Sequence, residues 1–197
     1  IKNVNQIHRN FRIDALSTEA TSDVRPVGIQ QVSTTSSDYT WGLKKIYTPK
    51  TWGQFDNRGD GVTVAVLDTG VDYDHPSVDI KKNNWLDTSG SPSNTPMDYG
   101  SHGTHVSGTV VGSDASGTHI GVAPNATLMV GAVLTSCNDN GCSGSFSQII
   151  EGIEWATDNN ADIVSMSLGA KGKYDTLIEP IRNARASGTI PVVSSGN

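Results

Sequence analysis

The chain has 197 residues, enough for one domain with a substantial core. Apolar residues make up 35% and the formal charge is -6, with no long single-sign block, which argues for a compact, loop-rich extracellular protein and against a nucleic-acid-binding surface. No apolar run approaches the length of a membrane span. The chain opens at Ile1 without a basic-then-apolar leader and stops at Asn197 directly after the apolar run 189–193, which points to an excerpt of a longer protein.

Val4, Ile7, Phe11, Ile13 and Leu16 are scattered among polar residues, enough for one strand or hairpin edge. Residues 17–38 are rich in Ser, Thr, Asp and Gln and read as a linker or exposed arm. The division is therefore an arm over 1–38 and a globular part over 39–197. Thr48-Pro49 predicts a short helix, with Thr48 as cap and Pro49 in the first turn.

Gly61-Val62-Thr63-Val64-Ala65-Val66-Leu67-Asp68 is a short Val-rich run that suits a strand buried on both faces. It ends at Asp68, where an open α/β sheet places reactive groups. Asp-Thr-Gly is also good turn chemistry, so this stretch alone leaves both readings open. Residues 74–99 form a long irregular region. Asp72, Asp74, Asp79 and Asp87 could supply oxygen ligands for a structural calcium, but their spacing matches no EF-hand loop, and solvated carboxylates are the favoured reading.

The stretch 100–111 predicts a helix whose small residues Gly103, Ser107 and Gly108 allow close packing. Its poor intrinsic propensity argues for a helix chosen to carry His102 or His105 into a crowded site. Residues 128–134 read as the next buried strand. Phe146 to Asn159 reads as an amphipathic helix capped by Ser145. A further strand covers 161–169, a helix 175–187 ends at Gly188, and a last strand covers 189–193. Strands alternating with helices predict an α/β fold of three layers: a mostly parallel sheet with helices on both faces. Cys137 and Cys142 share one polar loop and read either as a local disulfide or as two free thiols. No His or further Cys lies near enough in sequence to suggest zinc.

Asp68 and His102 could form a hydrogen-bonded pair in which the acid fixes the imidazole tautomer, although such pairs also occur in ordinary polar networks. The surrounding residues are more specific. Val64-Ala65-Val66-Leu67-Asp68-Thr69-Gly70-Val71-Asp72 with His75-Pro76 resembles the aspartate motif of the subtilisin-like serine proteases (subtilases). His102-Gly103-Thr104-His105-Val106-Ser107-Gly108 resembles their histidine motif, and Ser165-Met166-Ser167-Leu168-Gly169 their substrate-binding strand. The stretch from Gly144 to Ala156 resembles the helix before that strand. Ser194-Ser195-Gly196-Asn197 resembles the segment ending in the oxyanion asparagine. The motifs stand in family order over about residues 41–197.

The resemblance implies a serine endopeptidase acting on polypeptides through an Asp-His-Ser triad, with no cofactor required. Asp68 would orient the base. His102 would be general base and then general acid, and Asn197 would donate to the oxyanion. Ser143, Gly144, Ser165, Ser167, Leu168 and Gly169 would form two edges between which substrate pairs as an added strand. Phe146 would line a subsite or simply pack in the core. Ile1 to Phe11 is similar to the last strand of the family's inhibitory propeptide, which makes the chain's own propeptide a partner and places a maturation cut in the arm; a mature N-terminal extension is the alternative. The family's nucleophilic Ser follows the oxyanion Asn, beyond Asn197, so a non-catalytic pseudoprotease or peptide-binding fragment is the competing reading. Ser77 stands where the family often has a calcium-binding Asp, against that site. Secretion is the expected location. A nucleotide-binding α/β domain fails, because no Gly-x-Gly-x-x-Gly follows any strand.

Overall fold

The computed structural model describes residues 12–15 and 38–196; Asn197, the propeptide-like run up to Phe11 and most of the arm lie outside the described residues. In chain order the strands are β1 Arg12–Ala15, β2 Asp38–Tyr39, β3 Thr63–Asp68, β4 Trp85–Asp87, β5 Thr118–His119, β6 Thr127–Ala132, β7 Ser136–Asn138, β8 Gly141–Ser145, β9 Ile163–Met166, β10 Leu168–Gly169 and β11 Ile190–Val193. The helices are α1 Trp41–Lys45, α2 Thr48–Phe55, α3 His102–Val111, α4 Phe146–Asp158 and α5 Ile178–Ala186.

The Val-rich run becomes the middle of a 5-stranded sheet, ordered β11-β9-β3-β6-β4, in which every pairing is parallel. Along β3 only Thr63 is not fully buried, because helices cover both faces. Residues alternate between the faces. Ala65 and Leu67 pack with Ile149, Ile153 and Ala156 of α4 and Ala184 of α5. Val66 packs with Val71, Val78 and Val111 at the end of α3. This is the three-layer α/β architecture expected.

Four local readings differ from the sequence expectation. Thr48 is buried inside the first turn of α2, while Tyr47 takes the cap position in a left-handed conformation; Pro49 does sit in the first turn. The irregular stretch 74–99 contains β4, which pairs with β6 at the sheet edge; three residues are too few to show a period. The run 161–169 is two strands. After Met166 the chain leaves the parallel ladder, and Leu168–Gly169 pairs with β1 in a second sheet, ordered β10-β1-β8-β7. Hydropathy alone does not reveal a change of partner. The helix read over 175–187 opens as a 3-10 turn, Asp175–Leu177, before α5 begins.

Helix α4 is held at its start by a reciprocal cap. The Ser145 hydroxyl accepts from the Gln148 N–H, and Gln148 Oε1 accepts from the Ser145 N–H at 2.9 Å. The Gln148 amide also donates to the Thr88 carbonyl at 3.0 Å, tying the helix to the end of β4.

Two expectations about stability follow from this packing. Ile153 is 2% exposed in the α4 core, so Ile153→Ala should lower the unfolding free energy by about 2–4 kcal/mol, read as a lower urea midpoint at unchanged slope. A shift worth under about 1 kcal/mol would contradict the core assignment. Asp87 gives a pH dependence. Burial pushes its carboxyl up, but hydrogen bonds from the Ser93 and Ser89 amides, the Ser89 hydroxyl and the Tyr99 phenol outweigh this and hold it below its ordinary 3.8. A depressed carboxyl stabilises the fold above its ordinary pKa, and that contribution is lost as pH falls through the folded value. The urea midpoint should therefore drop on acidification below about pH 4, and Asp87→Asn should flatten that drop. Parallel pH profiles for the two proteins would show that these hydrogen bonds do not stabilise the carboxylate.

Candidate active site

β3 delivers Asp68 at its carboxyl end, with no solvent exposure. Helix α3 starts at His102, whose Nδ1 lies 2.7 Å from Asp68 Oδ1. An ionised carboxylate only accepts, so Nδ1 carries a proton and donates it, which makes Nε2 the basic nitrogen. The imidazole is 20% exposed, so the ring spans from the buried acid to the surface. Asp68 Oδ1 also accepts from the Thr69 N–H at 2.7 Å, while Oδ2 is buried with no hydrogen-bond partner among the described residues. A buried anion left partly unmatched favours a cation beside it, so this carboxylate is placed to stabilise an imidazolium. His105, on the same helix, is exposed, so the histidine that α3 carries into the site is His102.

The approach of α3 to β3 needs glycine. A Cβ on Gly103 would collide with the backbone of Gly70, and the left-handed Gly70 itself presses on Met97. The small residues of this helix thus bring its first turn onto the end of the strand.

A second sheet carries the residues expected to bind substrate. In it β1 runs between β8 and β10, antiparallel to both. Ile13 is paired with Gly144, Asp14 with Ser143 and Gly169, and Ala15 with Leu168. The Ile13 side chain is 2% exposed and packs in one cluster with Phe146, Ile149 and Leu168. Phe146 meets Tyr174 edge-on at 4.9 Å between ring centroids. The carboxyl end of β1 points toward the Cys142 end of β8, where Gly100 is pressed so close to Cys142 Sγ that it has no room for a Cβ. The carboxyl end of β1 therefore points toward the turn that precedes His102.

Of the other residues singled out in the sequence, Ser143, Gly144, Leu168 and Gly169 all lie on β8 and β10. Ser165 does not. It pairs with Val66 and Val192 inside the parallel sheet. Ser167 sits between β9 and β10, and Leu168 is tied to the end of β11 by the Ser194 hydroxyl, which donates to its carbonyl at 2.9 Å. Asn197 lies outside the described residues. Cys137 and Cys142 are joined by a disulfide that closes the β7–β8 hairpin.

Among the described residues no group of three His, Cys, Asp or Glu is arranged to hold a metal ion. Asp87 instead accepts from Ser89, Ser93 and Tyr99, and Asp72 Oδ1 accepts from the Asp74 N–H at 3.1 Å. Nor is any described helix long and apolar enough to cross a membrane.

Sequence reasoning missed Asp98, Thr69 and Thr104. The Asp98 carboxylate accepts from the Thr69 hydroxyl at 2.6 Å, the Gly100 N–H at 3.0 Å, the Ser101 N–H at 2.9 Å, and both the N–H and the hydroxyl of Thr104. A trace of this was readable: an acid just before a helix start is an N-terminal signal, but here it lies four positions ahead of His102, too far for the usual cap spacing.

Comparison with known proteins agrees with this geometry. The model of the subtilase family of S8 peptidases matches residues 59–197. The chain is 40% identical over 159 residues to the major intracellular serine protease of Bacillus subtilis, an alignment covering 79% of this chain and 49% of that protein. It is 37% identical to subtilisin E of Bacillus subtilis, covering 80% of this chain and 39% of that one. An alkaline protease of Alkalihalobacillus alcalophilus is 36% identical, with 85% of this chain and 42% of the relative covered. The chain thus spans half or less of the length of these relatives. With the aspartate and histidine motifs folded into one hydrogen-bonded pair and most of its length matched by the family model, this chain belongs to the subtilase family.

Proposed function

We propose that the whole protein is a serine endopeptidase and that this chain contributes the acid, the base and the edges that hold the substrate. The observation that carries this is the buried Asp68–His102 pair, with the extended strand β1 paired between β8 and β10. In this reading a serine from a segment following Asn197 attacks the scissile carbonyl. His102 Nε2 takes the hydroxyl proton and then passes it to the leaving amine. Asp68 keeps the proton on Nδ1 and stabilises the imidazolium in each step. Asn197 donates to the oxyanion. Water then repeats the sequence on the acyl-enzyme.

The substrate is a polypeptide in extended form. Its backbone pairs with β8 on one side and β10 on the other, as β1 does, and an apolar side chain enters the place now held by Ile13. Strand β1 then acts as the first occupant: the N-terminal segment is an inhibitory propeptide, and the protein is made as a zymogen. Secretion is supported by the Cys137–Cys142 disulfide, which suits an oxidising compartment, although two relatives are named as intracellular.

Two experiments on the full-length protein test this. Asp68→Asn should lower kcat on a peptide substrate by about 10⁴ with the fold retained, because the carboxamide can no longer hold the imidazole tautomer. Turnover within a few-fold of wild type would remove Asp68 from the triad. Ile13→Asp should weaken the pairing of the arm between β8 and β10 and raise initial activity before maturation at least several-fold; unchanged latency would show that β1 does not inhibit.

A further inference from the structure

The Asp68–His102 bond joins two segments that are separate in sequence, and its geometry depends on how the first turn of α3 is held against the end of β3. One side chain meets both. Asp98 takes five hydrogen bonds, and none of its donors lies far from the pair. Thr69 follows Asp68 directly, and Thr104 is two positions beyond His102.

The direction of these bonds is forced. An ionised carboxylate accepts only, so both threonine hydroxyls must spend their protons on Asp98. Their lone pairs are then turned outward. Thr69 Oγ1 accepts from the Gly103 N–H at 2.8 Å, and Thr104 Oγ1 accepts from the Asp72 N–H at 2.8 Å. Each threonine therefore bridges strand end and helix start, in opposite senses, with Asp98 fixing both rotors. Ser101, just before His102, is held in a left-handed conformation with φ of 65°, unfavourable for a non-glycine residue, and its N–H is one of the Asp98 donors. The carboxylate also faces the positive end of the α3 dipole.

We propose that Asp98 is a positioning residue for the Asp68–His102 pair: its carboxylate locks the Thr69 and Thr104 bridges, so that α3 presents the His102 ring to Asp68. Burial pushes the Asp98 carboxyl up, but the hydrogen bonds from Thr104, Thr69 and the Gly100 amide outweigh it and hold the pKa below the ordinary value, which agrees with an ionised group at working pH. The role rests on the protease reading above and goes beyond it, because Asp98 touches no substrate in that reading.

The test is Asp98→Asn in the full-length protein. The carboxamide keeps the shape, but its NH₂ must face either the Thr104 donors or the Thr69, Gly100 and Ser101 donors. The expected result is a fall in kcat per titrated active site of about 10–100-fold with KM within about twofold, since orientation rather than binding is lost. In parallel, the low-field proton NMR signal of the His102 Nδ1–H should shift or broaden in the variant. A purely structural cap would reduce the amount of folded enzyme without changing either readout. An unchanged kcat per site together with an unchanged signal overturns the proposal. If Asp98→Asn does not fold, Thr69→Val removes one bridge only, and it should lower kcat per site about tenfold; no change there overturns the proposal equally. A wild-type protein that hydrolyses no peptide would reject the protease reading instead, while the NMR comparison would still decide whether Asp98 orients His102.

Discussion

Asp68 carries a carboxylate into a place with no solvent, and the structure around it is arranged to answer that charge. Its Oδ1 takes a backbone N–H and an imidazole N–H, and its Oδ2 takes nothing among the described residues. Left alone, such a charge would cost several kcal/mol. The His102 ring is what makes it tolerable, and the ring can be there only because α3 approaches β3 to backbone contact. That constraint explains the glycines at 70 and 103, the poor helix propensity of α3 and the hydrogen-bond knot around Asp98. The glycines and the poor propensity do not help a helix form on its own. They make sense as the conditions for one hydrogen bond.

The same logic extends to the second sheet. β8 and β10 come from different parts of the chain, and among the described residues each has an edge with no strand partner other than β1. An open pair of edges is a template for any extended peptide. Gly144 packs directly on the Val133 carbonyl, and Val133 in turn donates its N–H to the Asp68 carbonyl at 2.8 Å. Strand β8 is thus fastened to the residue that carries the charge. In the proposed function, one piece of packing would position both substrate and base.

Much of this was readable from residues. The central strand is announced by an unbroken Val-rich run, because burial on both faces leaves no room for polar positions. Ser145 reads as a cap and α4 begins directly after it; the Gln148 half of the cap emerged only in the folded chain. The Asp68–His102 pairing came from motif resemblance rather than from periodicity. What stayed hidden were changes of partner. Ser165 and Leu168 lie in one apolar run, yet the first belongs to the parallel sheet and the second to the antiparallel one. Thr48 looked like a cap because of its type, but tertiary burial drew it into the helix. Asp98 was hidden for a related reason: its partners are spread from Thr69 to Thr104, and only the folded chain brings them to one carboxylate.

In the proposed function Asp68 and His102 are the activating half of a triad whose nucleophile lies elsewhere in the protein. Treating the full-length protein with a fluorophosphonate and mapping the adduct by mass spectrometry tests this most directly. The predicted result is one modified serine, following Asn197 in sequence, whose labelling is abolished by His102→Ala. No labelling of a folded, mature protein, or labelling that persists undiminished without the imidazole, would contradict it.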